Sequence, residues 1–191
     1  PLRESLGIIQ SSGNRAAEIV QDLLTLSRRG VIIRENVDLN DIVLKFLLTP
    51  EYKKILSFHP GVCVENQITA LSSFVKGSPI HLQKTLMNLI SNAAEAQPDG
   101  GIIRIRTWNR HLDKPIKGHD QVTPGDYVVL SVEDNGTGID PEDLNRIFEP
   151  FFTKKVMGRS GTGLGMAVVW GTVQDHNGYI DIRSSTDQGT T

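Results

Sequence analysis

Three short segments hold residues whose types and spacing could do chemistry. Asn88 and Asn92 stand four apart in Asn88-Leu89-Ile90-Ser91-Asn92-Ala93-Ala94-Glu95-Ala96, so a helix puts both carboxamides on one face. A carboxamide oxygen is a hard-cation ligand of the kind Mg²⁺ takes when it shares its coordination with phosphates. Glu133-Asp134-Asn135-Gly136-Thr137-Gly138-Ile139 follows an apolar run. Its glycines let backbone approach a ligand, and its carboxylate can accept a hydrogen bond from an exocyclic amine such as that of adenine. Gly161-Thr162-Gly163-Leu164-Gly165 opens an apolar helix, where free N–H groups and the positive helix end suit phosphate. Each segment also has a plain structural reading: a solvated asparagine pair, an Asp-Asn-Gly turn, a glycine-rich helix start. The third is not a P-loop, because no Gly-Lys-Ser/Thr follows. It is not a dinucleotide fingerprint either, because no strand leads into it.

The elements that must position these segments follow from periodicity. Residues 2–28 read as one helix, with Leu2, Leu6, Ile9, Gly13, Ala16, Val20, Leu23 and Ser27 on a heptad seam and Ile19 and Leu26 widening it. Such a stripe needs a partner helix; packing on its own domain ranks second. Arg28-Arg29-Gly30 ends the helix and marks a domain boundary, giving domains 1–30 and 31–191. A second helix is expected to about Leu48 behind Asp38 or Asn40, a strand over 61–68, and a helix from Ser78-Pro79 to about Ala96. Strands are expected over 102–108 and 127–132 with a polar loop over 109–125 between them. A short helix after Asp140-Pro141, a helix over 164–176 and a strand over 179–183 complete an α+β two-layer sandwich behind one long helix.

Composition narrows the function. The net charge of -2 over 191 residues gives no electrostatic case for nucleic acid or an anionic membrane. No apolar run approaches the ~18–20 residues of a membrane span. A single cysteine, Cys63, rules out an intrachain disulfide, fits a cytoplasmic setting and reads as a small buried hydrophobe.

Taken in order, the segments resemble the ATP-binding domain shared by sensor histidine kinases, gyrase-type topoisomerases, MutL and the ninety-kilodalton heat-shock chaperone. Asn88 to Ala96 is similar to its N box, Asp134 to Gly138 to its first glycine box, and Gly161 to Gly165 to its second. Ile147-Phe148-Glu149-Pro150-Phe151-Phe152-Thr153-Lys154-Lys155 resembles the F box of histidine kinases, the discriminator within the superfamily. The wording Asn-Ala-Ala-Glu-Ala-Gln-Pro-Asp-Gly-Gly is most similar to nitrogen-regulation-type and PAS-linked hybrid kinases.

The resemblance implies roles. Asn92 binds Mg²⁺ bridging the ATP phosphates and Asn88 sits beside them. Asp134 holds the adenine amine, with Gly136, Gly138 and Ile139 along the base. Gly161, Thr162, Gly163, Leu164 and Gly165 cradle the triphosphate. Residues 140–162 form a mobile lid that Phe151 or Phe152 hinges, beside Thr153, while Lys154 reaches phosphate. Packing is the structural alternative for Phe148, Phe151 and Phe152, and solvation for Lys154, Lys155 and Arg159.

The acceptor is missing from this pattern. His59, His81, His111, His119 and His176 all fall outside a heptad helix with a following acid, and His176 reads as a helix C-cap, where a cation is favoured. Both ends read as cuts within a longer protein, so the acceptor helix is expected before Pro1 and one more strand after Thr191. The implied reaction is γ-phosphoryl transfer to that histidine, in cis or in trans within a homodimer, and then to a response-regulator receiver domain. No nucleic acid or direct membrane contact is expected of these residues, though the parent could be membrane-anchored. Two alternatives stand beside this: a gyrase or MutL-type ATPase clamp, whose general-base Glu would occupy position 88, and a degenerate module that binds nucleotide without transfer.

Overall fold

The computed structural model describes residues 2–27, 35–117, 121–154 and 161–191. The Arg28-Arg29-Gly30 stop, His119, Lys155 and Arg159 lie outside them. The elements are α1 (Leu2–Ser27), β1 (Glu35–Asp38), α2 (Leu39–Phe46), α3 (Pro50–Phe58), β2 (Val62–Ile68), β3 (Phe74–Gly77), α4 (Pro79–Glu95), β4 (Gly101–Leu112), β5 (Ile116–Lys117), β6 (Gln121–Val122), β7 (Gly125–Asp134), α5 (Gly165–Asp175), β8 (Ser184–Ser185) and β9 (Gly189–Thr190).

Helix starts follow their caps. Asp38 Oδ1 accepts from the Asn40 and Asp41 amides at 2.8 and 3.4 Å, starting α2. Thr49 Oγ1 accepts from Tyr52 N–H at 3.2 Å ahead of Pro50, starting α3. Ser78 Oγ accepts from His81 N–H ahead of Pro79, starting α4. Each cap satisfies an amide that the first helical turn leaves unpaired.

The main sheet runs β2-β4-β7-β9-β8. β2 pairs parallel with β4, and β4 pairs antiparallel with β7 in a register that sets Ile105 opposite Val132. One face carries the helices. Ile103 and Ile105 of β4 meet Leu86, Ile90, Ala93 and Ala94 of α4 and Val43 and Phe46 of α2 in one buried cluster. Burying each large side chain contributes roughly 1.5–3 kcal/mol, so this layer holds α4 against the sheet. The opposite face is polar. Arg104 bonds Glu65 at 3.0 Å and Glu133 at 3.2 Å, and Arg106 pairs with Glu133. A small antiparallel sheet joins β1 to β3.

α1 leaves much of its stripe uncovered: Leu6, Ile9, Val20, Leu23 and Leu24 are exposed. Its final turns touch the domain through the other side, with Ile19, Asp22 and Leu26 half-buried. Leu26 packs at Gly171 of α5, and Asp22 pairs with Lys84 of α4 at 2.7 Å. Packing on its own domain, the second-ranked reading, thus holds for one side of the helix, while the seam residues Leu6, Ile9, Val20 and Leu23 stay exposed.

Several expectations change. The loop over 109–125 is instead the end of β4, the β5–β6 hairpin and the start of β7. The polar side chains misled because Asn109, Arg110 and His111 are all exposed, so both faces of the strand are solvated there. Residues 141–150 form successive turns rather than a helix, with Arg146 N–H bonding the Asp143 carbonyl and Glu149 N–H that of Arg146. Residues 179–183 are not assigned as strand, and only Arg183 pairs, with Thr191 in both directions at 2.9 and 2.8 Å. Cys63 is exposed. It alternates with inward-facing Val62 and Val64 and so falls on the outer face of edge strand β2. The sequence reading also missed α3, β1 and β3.

Candidate functional site

The Asn88 carboxamide donates from Nδ2 to the Gly165 carbonyl at 3.1 Å. That contact brings the asparagine pair of α4 to the glycine-rich start of α5. A Cβ at Gly165 would sit 3.5 Å from the Asn88 carboxamide carbon. Asn92 stands one turn further along α4 and is half-buried.

α5 begins without a side-chain cap. Its N-cap residue, Leu164, is fully buried and serves the core. Thr162 Oγ1 accepts from Leu164 N–H at 3.2 Å and shapes the approach. Gly161 and Gly163 have φ of 82° and 69°, which glycine tolerates best. A Cβ at Gly163 would collide with the Phe151 backbone, whose N–H bonds the Gly163 carbonyl at 2.9 Å. Among the described residues, no side chain caps the first amides of α5, which is the donor set an anion needs.

Asp134 ends β7 at 9% exposure. Its Oδ1 accepts from Gly136 N–H at 2.8 Å. Burial pushes its carboxyl above the ordinary value of 3.8, opposed by backbone hydrogen bonds from Gly136 and Thr190 and reinforced by the charge of Glu133. A buried, partly solvated carboxylate of this kind has capacity for one more donor. Gly136 and Gly138 have packing reasons of their own: a Cβ would strike the Ala96 carbonyl at the first and the Ser185 carbonyl at the second. Ile139 N–H donates to Ser184 Oγ at 2.8 Å and ties this loop to β8.

The aromatic segment divides its work. Phe148 meets Trp170 of α5 with ring centroids 5.1 Å apart. The Arg146 guanidinium lies 4.5 Å over the Phe152 ring. Phe151 is 60% exposed at a φ of 68°. Thr153 is exposed. Lys154 pairs with Asp140 at 3.0 Å and with Asp143, which is buried. These carboxylates, Asp143 first, raise the Lys154 ammonium, and Lys154 in turn lowers Asp140 below 3.8. Thr186 Oγ1 donates to the other Asp140 oxygen at 3.0 Å. The sequence reading did not single out Asp140, Asp143 or Thr186. Contacts fourteen and forty-six residues apart leave no periodic signal.

Among the described residues, no group of three or more His, Cys, Asp or Glu is placed to hold a metal. The Asn92 carboxamide oxygen, with backbone N–H groups at the start of α5 that suit phosphate, fits a Mg²⁺ that arrives already bound to phosphates and water. No described helix is long and apolar enough to cross a membrane. An open cavity of about 350 Å³ lined by Gln67, Thr69, Arg106, Thr107 and Trp108 involves none of the site residues. Of the histidines, His111 pairs in the open with Asp126 at 2.6 Å and Asp113 at 3.2 Å, and Asp126 raises its pKa.

Residues 77–191 match the family described as histidine kinase-, DNA gyrase B-, and HSP90-like ATPase. Over 186 residues the chain is 38% identical to sensor kinase CckA of Brucella abortus, covering 96% of this chain and 19% of that protein. It is 29% identical over 185 residues to sporulation kinase A of Bacillus subtilis, covering 96% and 27%. The chain thus spans a fifth to a quarter of these relatives. Among solved structures, full-length ShkA in complex with AMPPNP superposes with a TM-score of 0.72 at 22% identity, over 98% of this chain and 37% of that one. Histidine kinase ThkA in complex with response regulator protein TrrA superposes at 0.69 and 21% identity, over 100% and 49%. At these identities both likenesses speak for the fold alone.

Proposed function

Because the chain belongs to the family of histidine kinase-, DNA gyrase B-, and HSP90-like ATPases, we propose that it binds ATP with Mg²⁺ and donates the γ-phosphoryl group to a histidine on a separate helix. Onward transfer goes to an aspartate of a response-regulator receiver domain. The observation that carries this reading is the Asn88–Gly165 hydrogen bond, which joins the asparagine helix to the glycine loop. The sensor and sporulation kinases among the relatives support it.

In this reading Asp134 accepts from the adenine amine, with Gly136, Gly138 and Ile139 forming the turn along the base. The open amides at the start of α5, with Gly161, Thr162 and Gly163 before them, take the phosphate oxygens. Asn88 holds α4 against that loop, and Asn92 offers its carboxamide oxygen to the metal. Mg²⁺, when bound, would neutralise charge on the phosphate oxygens. Phe151 and Thr153 border the site, and Lys154 supplies a cation beside it. The new bond joins an imidazole nitrogen to the γ-phosphorus, and ADP leaves with the electrons of the broken P–O bond. Catalysis is then mainly positioning and charge stabilisation.

Residues 1–30 serve as one helix of a dimerisation hairpin and residues 31–191 as the ATP-binding domain. The exposed stripe of α1 supports that division. A clamp-type ATPase would need a general base at position 88, and the Asn88 carboxamide cannot take a proton at neutral pH. The test is to mix the chain with a protein segment carrying an acceptor helix and γ-labelled ATP. Acid-labile, base-stable label on histidine is expected. Rapid release of free phosphate without that label would replace this reading with the clamp ATPase.

A further inference from the structure

His176 does a job that no catalytic reading uses. It caps the end of α5, and its ring reaches across to the start of α4. Nε2 accepts from Ser78 N–H at 2.9 Å. Nδ1 lies 2.7 Å from the Thr172 carbonyl oxygen. A backbone N–H can only donate and a carbonyl can only accept. The ring must therefore be neutral with its proton on Nδ1, which overturns the expectation of a cation at this helix end. Gly77 makes room for it, since a Cβ there would run into the imidazole.

The start of α4 thus lies at the end of α5, while the middle of α4 meets the start of α5 through Asn88 and Gly165. Two polar rungs join the antiparallel helices, about 15 Å apart along α4. We propose that His176 is a positioning residue for the nucleotide site. Its neutral ring fixes the axial offset between α4, which carries Asn88 and Asn92, and α5, whose first turn carries the glycine loop. It touches neither nucleotide nor reacting atoms. Losing the distal rung lets the helices slip, and a small slip separates Asn92 from the α5 amides. Sites of this kind tolerate little displacement. The hydrogen bond adds direction to the packing of the buried α5 residues Ala167, Val168, Val169 and Thr172, because it weakens steeply away from its preferred geometry.

The inference rests on the ATP-binding reading, so the experiment separates the two. Mg-ATP binding is measured by calorimetry for the wild type, His176→Phe and His176→Gln. Phenylalanine keeps the ring volume against Gly77 but strands Ser78 N–H, whereas glutamine restores an acceptor. Expected is a loss of about five- to tenfold in affinity for His176→Phe, the worth of one hydrogen bond, and near-wild-type binding for His176→Gln. A folded His176→Phe that binds Mg-ATP as tightly as wild type overturns the inference. A wild type that fails to bind overturns the ATP reading instead. The inference is then decided without nucleotide, by the Asn88 side-chain amide resonance. It shifts in His176→Phe and not in His176→Gln if His176 sets the offset; an unmoved resonance overturns it. Should His176→Phe not fold, nitrogen-15 spectra of the wild-type ring decide. An Nε2-protonated or charged ring at neutral pH overturns the proposal.

Discussion

Lys84 of α4 grips Asp22 of α1 across 2.7 Å, with the two side chains only 18% and 13% exposed. The pair sits where the long helix meets the domain, so it couples α1 to the same helix that carries Asn88 and Asn92. Partly buried pairs are costly to break one-sidedly, because the remaining charge stays desolvated.

Lys84→Met is therefore expected to loosen α1 by about 1–3 kcal/mol while leaving the α4–β4 core intact. Hydrogen–deuterium exchange should speed up in the last turns of α1 before any change in the amides of β4. Unchanged exchange in α1 would show that Leu26 and its neighbours hold the helix without the ion pair.

Asp134→Asn should separate stability from binding. Burial raises the Asp134 carboxyl, so its favourable contribution to folding is present below pH 3.8 and is lost as pH rises through the folded value. At neutral pH the ionised group is a stability cost that asparagine removes, while its Oδ1 still accepts from Gly136. The ligand-free protein should melt higher at neutral pH, and the difference should vanish in acid. Mg-ATP affinity should fall about tenfold or more, the worth of one hydrogen bond to a charged group, ~1.5–3 kcal/mol. Melting curves with and without Mg-ATP across that pH range check both signs.

Gly163→Ala should destabilise by about 2–4 kcal/mol, because φ is 69° and the added methyl meets the Phe151 backbone. Gly13→Ala in α1 is the contrast: nothing lies within 4 Å, and helix propensity favours alanine by roughly 0.5–1 kcal/mol. Urea titrations of the two variants should move in opposite directions. A Gly163→Ala protein as stable as wild type would contradict the backbone conformation of the loop.

Lys154, Asp140 and Asp143 should behave as one unit. Lys154→Met strands the buried Asp143 carboxylate and should lower stability, and adding Asp143→Asn should restore part of the loss. A purely additive double variant would argue against the contact. Lys154 holds Asp140 below 3.8, so the Asp140 contribution is present above that pH and lost as pH falls through the lowered value. Acid titration should therefore weaken the Lys154–Asp140 contact only as pH falls below 3.8 through that lowered value.

Much of the scaffold was readable because its signals are local. Asp38, Ser78-Pro79 and the alternation of Ile103, Ile105 and Thr107 mark their elements within a few residues. Thr49-Pro50 carries the same signal as Ser78-Pro79 and would have located α3. Its apolar residues Tyr52, Ile55 and Leu56 were too few to draw notice. The ordered motifs pointed to elements that converge: α4, which carries Asn88 and Asn92, meets both β7, which ends in Asp134, and the start of α5. What escaped is relational. No spacing rule pairs Lys154 with Asp143, or tells that Leu164, inside a glycine-rich loop, is fully buried. The His176 tautomer depends on Ser78, which lies ninety-eight residues away. Cys63 was misread because a run of apolar residues on an edge strand hides its period of two.

The separation of the two α4–α5 rungs also sets an order of assembly. Asn88 and Gly165 are 77 residues apart, and Ser78 and His176 are 98 apart. Pairings that distant carry a large loop-closure entropy and form after local ones. During synthesis at 5–20 residues per second, α4 leaves the ribosome about 4–15 s before the glycine loop that completes its face. For that interval the nascent chain can build the β2–β4–β7 sheet with α4 upon it, yet it lacks the glycine loop. On the ATP-binding reading proposed above, nucleotide affinity comes only when α5 docks on α4, so ATP would stabilise molecules with α5 docked and not intermediates without it.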